Sequence, residues 1–110
     1  MKSNIDKSLV EFVVEQIKEI GDISYKYMFG GCSIYYKNKV VALICGNSLY
    51  IRPTESGRSF IKDVDEESPY PGAKLHFLIK DKIDDKEWLS ELVLITAKDL
   101  PEPKNKKKSI

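Results

Sequence analysis

The chain has 110 residues, 42% hydrophobic and 32% charged, with 18 basic against 17 acidic side chains and a net charge of +1. That balance fits one globular domain with its own core and excludes a disordered or fibrous chain. The charge is uneven: Lys104, Lys106, Lys107 and Lys108 against Glu102 put +3 at the end and leave −2 before it, which excludes a broad basic surface for duplex DNA.

Asp6 is placed to cap a helix with apolar positions Leu9, Val13, Ile17 and Ile20, and Gly21 ends the pattern as a C′ residue. Tyr25, Tyr27 and Phe29 then alternate with Lys26 and Met28, which predicts a half-buried strand. Met28-Phe29-Gly30-Gly31 is the most distinctive motif. Two adjacent glycines between strand-like stretches predict a bulge or sharp bend in a sheet, where positive φ or a close backbone approach excludes other residues.

A second strand is predicted from Ser33 to Lys37, with Ile34 and Tyr36 on one face. Asn38-Lys39 and Gly46-Asn47 suit hairpin turns on either side of Val40–Cys45, which is apolar throughout and predicts a central strand. Leu49 to Arg52 alternates again. Thr54 caps a short helix running to about Lys62, with Glu55 in its first turn. An acidic loop follows (Asp63, Asp65, Glu66, Glu67), then Ser68-Pro69-Tyr70-Pro71-Gly72. Leu75, Phe77 and Ile79 alternate as a further strand. Asp84 and Glu87 have capping-box spacing for a last helix to about Lys98, which Pro101 and Pro103 stop. The fold class this predicts is α+β: a two-layer α/β sandwich, an antiparallel sheet with helices on one face. The domain covers 1–100, with 101–110 a disordered lysine-rich tail.

A two-layer fold leaves one sheet face open, yet the Val40–Cys45 strand is apolar on both sides. Something must cover it, and a homodimer is the first expectation, a ligand or regulatory protein partner the next. If Leu49, Ile51, Leu75, Phe77 and Ile79 face the helices, then Tyr50, Arg52, His76 and Leu78 face outward, joined by Lys26, Met28 and Tyr35. Aromatic residues, methionine and arginine are enriched at protein interfaces, so Tyr50, Arg52, His76, Tyr35 and Met28 are the candidate binding residues.

Catalytic chemistry finds little support. His76 is the single histidine, and a surface or interface role outweighs that of a general base. Cys32 and Cys45 have no metal-ligand spacing and no nucleophile motif, so reduced, structural thiols are expected. The acidic loop lacks the pattern of a calcium site, and Gly30-Gly31 is no phosphate loop. No catalytic residue, cofactor or metal is therefore expected. Without a signal peptide or a membrane-length apolar run, a cytoplasmic protein is expected. Lys104, Lys106, Lys107 and Lys108 keep weak nucleic-acid association as the alternative function, ahead of a small-molecule site around His76.

With Met28-Phe29-Gly30-Gly31 followed by Ile34-Tyr35, Ala42-Leu43 and Leu49-Tyr50-Ile51-Arg52, the chain resembles the TfoX N-terminal-domain family of competence regulators. The ending Leu92-Val93, Leu100-Pro101-Glu102-Pro103-Lys104 is similar to that of its short, single-domain members. The resemblance implies a fold like that of type III secretion chaperones, frequent dimers, and regulation alongside a transcription activator at competence promoters. Full-length regulators of the family also carry a helical C-terminal domain. No family catalytic residues carry over to this chain.

Overall fold

The computed structural model describes residues 6–28 and 30–101. Six strands form one sheet in which every pairing is antiparallel: β1 (Ile23–Met28), β2 (Gly31–Tyr36), β3 (Lys39–Cys45), β4 (Ser48–Ile51), β5 (Asp65–Glu67) and β6 (His76–Ile79), in the spatial order β1-β2-β3-β4-β6-β5. The helices are α1 (Lys7–Ile17, continued by a 3₁₀ turn Lys18–Ile20), α2 (Glu55–Ile61) and α3 (Lys86–Asp99). The α+β architecture expected from the periodicity is the one observed.

Local chemistry sets the helix boundaries. The Asp6 carboxylate accepts from the Leu9 N–H at 3.2 Å, and Thr54 Oγ1 accepts from the Gly57 N–H at 3.0 Å, each satisfying one orphan donor of a first turn. The third cap is Asp85, not Asp84, and accepts from Trp88 N–H at 3.1 Å. α3 is the central helix. Ser90 Oγ donates to the Gln16 carbonyl of α1 at 3.2 Å, and Phe60 of α2 stacks on Trp88 at 5.5 Å between ring centroids.

One face of the sheet meets these helices. Ile34, Ile44, Leu49, Ile51 and Phe77 are each at most 1% exposed and share a core with Val10, Val13 and Ile17 of α1 and Leu89, Leu92 and Val93 of α3. Burying each such side chain contributes about 1.5–3 kcal/mol before the entropy of ordering it. Leu75, expected on this face, precedes β6 and is 55% exposed.

The structure corrects several sequence expectations. Of the bulge or sharp bend expected at Gly30-Gly31, the sharp bend is the one that forms. Gly30, at φ +75°, sits in the turn between β1 and β2, and Gly31 opens β2 opposite Met28. A Cβ on Gly31 would stand 3.1 Å from the Ile44 carbonyl oxygen, so its role is close approach to β3. Phe29 lies outside the described residues. The next turn is Lys37-Asn38, not Asn38-Lys39, and both take positive φ (51° and 70°), as a type I′ hairpin requires. Gly46-Asn47 does join β3 to β4.

The sheet's real bulge is in β3. Ile34 pairs with Ala42 while Tyr35 pairs with Val40, leaving Val41 as the extra residue. Val41 and Ala42 are both buried in the helix-side core. The bulge thus accounts for part of the unbroken apolar run that had demanded a second cover. The acidic stretch is also no loop: Asp65–Glu67 is β5, held by Arg58–Glu66 (2.8 Å) and Lys80–Asp65 (3.5 Å) ion pairs.

Candidate functional site

Strict alternation along the strands assigns the face turned away from the core. One row runs Lys26, Ser33, Leu43, Tyr50, Leu78 and Asp65 across all six strands. Tyr35 sits opposite Val40 in the next row, Met28 lies beyond the opposite end beside Gly31 and Cys45, and His76 faces Glu67. The open face therefore brings Tyr35, Tyr50, His76 and Met28 onto one surface, and Arg52 follows directly after β4, its N–H donating to the Val41 carbonyl at 3.0 Å.

Access differs sharply among them. Met28 is 38% exposed, and Tyr35 and Arg52 are half-buried. Tyr50 and His76, in contrast, are only 7% and 8% exposed. Both line the open face mainly as support for their neighbours. Leu43, Val40, Cys45 and Leu78, all half-buried, complete the surface. Of these, Val40, Leu43 and Cys45 escaped sequence reading because β3 is apolar on both faces and hides its own alternation.

Burial pushes the Tyr50 phenol above its ordinary value, with the Glu67 carboxylate adding to the rise and a hydrogen bond from Ser48 opposing it. Tyr50 therefore stays a neutral phenol. His76 Nδ1 lies 2.9 Å from the Lys74 carbonyl, which can only accept, so Nδ1 carries the proton and anchors the ring to its own loop. Burial likewise raises both thiols, Cys32 and Cys45. Both are free, with Cys32 in the core and Cys45 on the opposite face.

Of the surface hollows among the described residues, four include none of Tyr50, Arg52 or His76, and one of these reaches the open face at Asp65 and Leu78. The smallest, about 270 Å³, is lined by Tyr36, Lys37, Lys39, Leu94, Ala97 and Lys98. Here Lys39 Nζ donates to the carbonyls of Ala97 (2.8 Å) and Leu100 (3.0 Å), capping the end of α3. The start of α2 is likewise occupied, since Asp99 accepts from the Ser56 N–H at 3.0 Å. Among the described residues no cluster of His, Cys, Asp and Glu is able to hold a metal ion, and no helix is long and apolar enough to cross a membrane. Lys104, Lys106, Lys107 and Lys108 lie outside the described residues.

Comparison with known proteins decides the family, for the TfoX N-terminal domain matches residues 15–99. The chain belongs to the TfoX N-terminal domain family. It is also 34% identical over 102 residues to an uncharacterized 12.7 kDa protein in the trpE 5′ region of Spirochaeta aurantia, an alignment spanning 93% of this chain and 89% of that protein. No solved structure gives a match, so the likeness to type III secretion chaperones rests on the family resemblance alone.

Proposed function

We propose that this TfoX-family chain is a small, non-enzymatic regulatory module that acts through contact with a protein of the transcription apparatus, in the manner of competence regulation. The observation that carries this reading is the family match over 15–99, joined to a sheet face that the three helices leave open. The contact surface is the accessible part of that face. Tyr35, Leu43 and Leu78 supply apolar area, Lys26 and Arg52 supply positive charge, and Asp65 and Glu67 supply negative charge at the far strand. Lys26 at β1 and Asp65 at β5 set opposite charges at the two sides of the face, which favours one docking orientation over its reverse.

Deleting the coding sequence in the source organism tests this. Transcripts for DNA uptake and their regulators should shift, and the intact gene supplied in trans should restore them. Unchanged transcripts would remove the regulatory reading.

Nucleic-acid association through the four tail lysines is the second reading, favoured by the +3 charge of that segment. It predicts weak duplex binding that falls steeply between about 50 and 200 mM salt and is lost on truncation at Leu100. Binding insensitive to truncation would place the contact on the folded domain instead.

A further inference from the structure

The two edges of the sheet are built differently. β5 is three residues long and acidic, and two of its carboxylates are held in ion pairs, features that discourage strand addition. β1 at the other edge has six residues, Ile-Ser-Tyr-Lys-Tyr-Met, with one charge and no proline. Five of the six are exposed, among them Tyr25 (45%) and Tyr27 (41%). An edge of this length and composition is a template for another strand.

The hydrogen-bond phase shows which groups it offers. Lys37 N–H donates to the Asp22 carbonyl at 3.1 Å, so position 22 faces β2. Alternation along the β1–β2 register makes Ser24, Lys26 and Met28 the residues bonded to β2. The backbone N–H and C=O groups of Ile23, Tyr25 and Tyr27 therefore point out of the sheet.

We propose that the partner of this edge is β1 of a second copy, paired antiparallel about a two-fold axis at Tyr25, so that two sheets join into one. In this register Tyr25 meets Tyr25 of the second copy, and Ile23 meets Tyr27 of the second copy at both ends. Three hydrogen-bonded pairs form, about six backbone bonds in all, using every outward group of both strands. Lys26 falls opposite Ser24 of the second copy. Sliding the axis to residue 26 would set Lys26 against Lys26 at a close, non-hydrogen-bonded position and drop two of those bonds. Sliding it to residue 24 also drops two.

The side chains suit the arrangement. Tyr25 and Tyr27 already pack edge to face at 5.8 Å, and Lys7 lies over the Tyr27 ring at 5.8 Å, so the aromatic surface is held before association. A two-fold contact closes on itself, whereas β1-to-β5 addition would propagate, and the ion-paired, three-residue β5 opposes it. The dimer touches the open face only at its β1 margin, Lys26 and Met28, and leaves Tyr35, Leu43, Arg52 and Leu78 on β2, β3, β4 and β6 free, so variants at Tyr25 and at Arg52 test the two readings separately.

Sedimentation velocity of the full chain from about 5 to 200 µM tests the dimer by mass action. Wild type should shift from monomer to dimer across that range. Tyr25→Pro removes an outward N–H that β2 does not use, and Tyr25→Lys sets like charges on the axis. Each should weaken association by about tenfold or more while leaving the far-UV spectrum unchanged. Mixing Tyr25→Lys with Tyr25→Glu should restore a heterodimer, which an effect on folding alone would not do. A wild type that stays monomeric throughout, or a dimer indifferent to both Tyr25→Pro and Tyr25→Lys, would overturn the proposal.

Discussion

Gly30 and Gly31 are neighbours with unrelated reasons for being glycine. Gly30 needs φ +75° and has open space where a Cβ would stand, whereas Gly31 has ordinary φ and meets the Ile44 carbonyl oxygen at 3.1 Å. Gly30→Asn should therefore cost only a few tenths of a kcal/mol, because asparagine tolerates this backbone region. Gly31→Ala should cost about 1–3 kcal/mol by forcing β2 and β3 apart. Urea denaturation of the two variants checks the order, and equal losses would contradict it. Sequence reading found the pair but not the division of labour, since a turn and a close approach leave the same letter. Asp99 makes a second residue-scale prediction. Its bond to the Ser56 N–H, with the Ser56 side chain adding, holds the carboxyl below its ordinary 3.8. A carboxyl lowered by folding stabilises above its unfolded range, and that contribution disappears as pH falls through the lowered range. The stability gap between wild type and Asp99→Ala, followed by thermal unfolding, should be constant above about pH 5 and close in acid.

At the scale of elements, the three helices and five of the six strands are legible to within a few residues because their caps and periods agree. Thr54 and Asp6 carry the caps predicted for them. β5 was hidden because Asp65-Glu66-Glu67 has no strand propensity of its own. Pairing with β6 and ion pairs from Arg58 and Lys80 make it a strand, and none of these is local in sequence. The β3 bulge was hidden for the opposite reason, since in Val40–Cys45 every residue is apolar and no phase shift shows. Lys39 joins two elements across the fold by capping the last carbonyls of α3. Lys39→Met keeps the stem and removes the donors, and should lower unfolding free energy by about 1–2 kcal/mol. Chemical denaturation measures this, and an unchanged midpoint would show that the cap adds nothing.

For the whole molecule, the register deduced by alternation placed Tyr50, His76, Tyr35 and Met28 on one open face, and the structure has them there. Their burial was not legible, because how much of Tyr50 and His76 remains exposed depends on how neighbouring strands and loops pack around them. Accessible contact therefore falls to Tyr35, Arg52, Leu43 and Leu78, with Lys26 and Met28 at the β1 side. The proposed regulator would work through this uncovered face, and the proposed pairing at β1 would leave its β2, β3, β4 and β6 part free.

The measurement that tests this most directly is complementation of the deletion strain with Arg52→Glu and with Phe12→Ser, read as transcript levels. Phe12 is an exposed residue of α1, outside the open face. The account predicts that the charge-reversed face fails to restore regulation while Phe12→Ser restores it fully, with both proteins folded and equally abundant. Full restoration by the charge-reversed protein would contradict it.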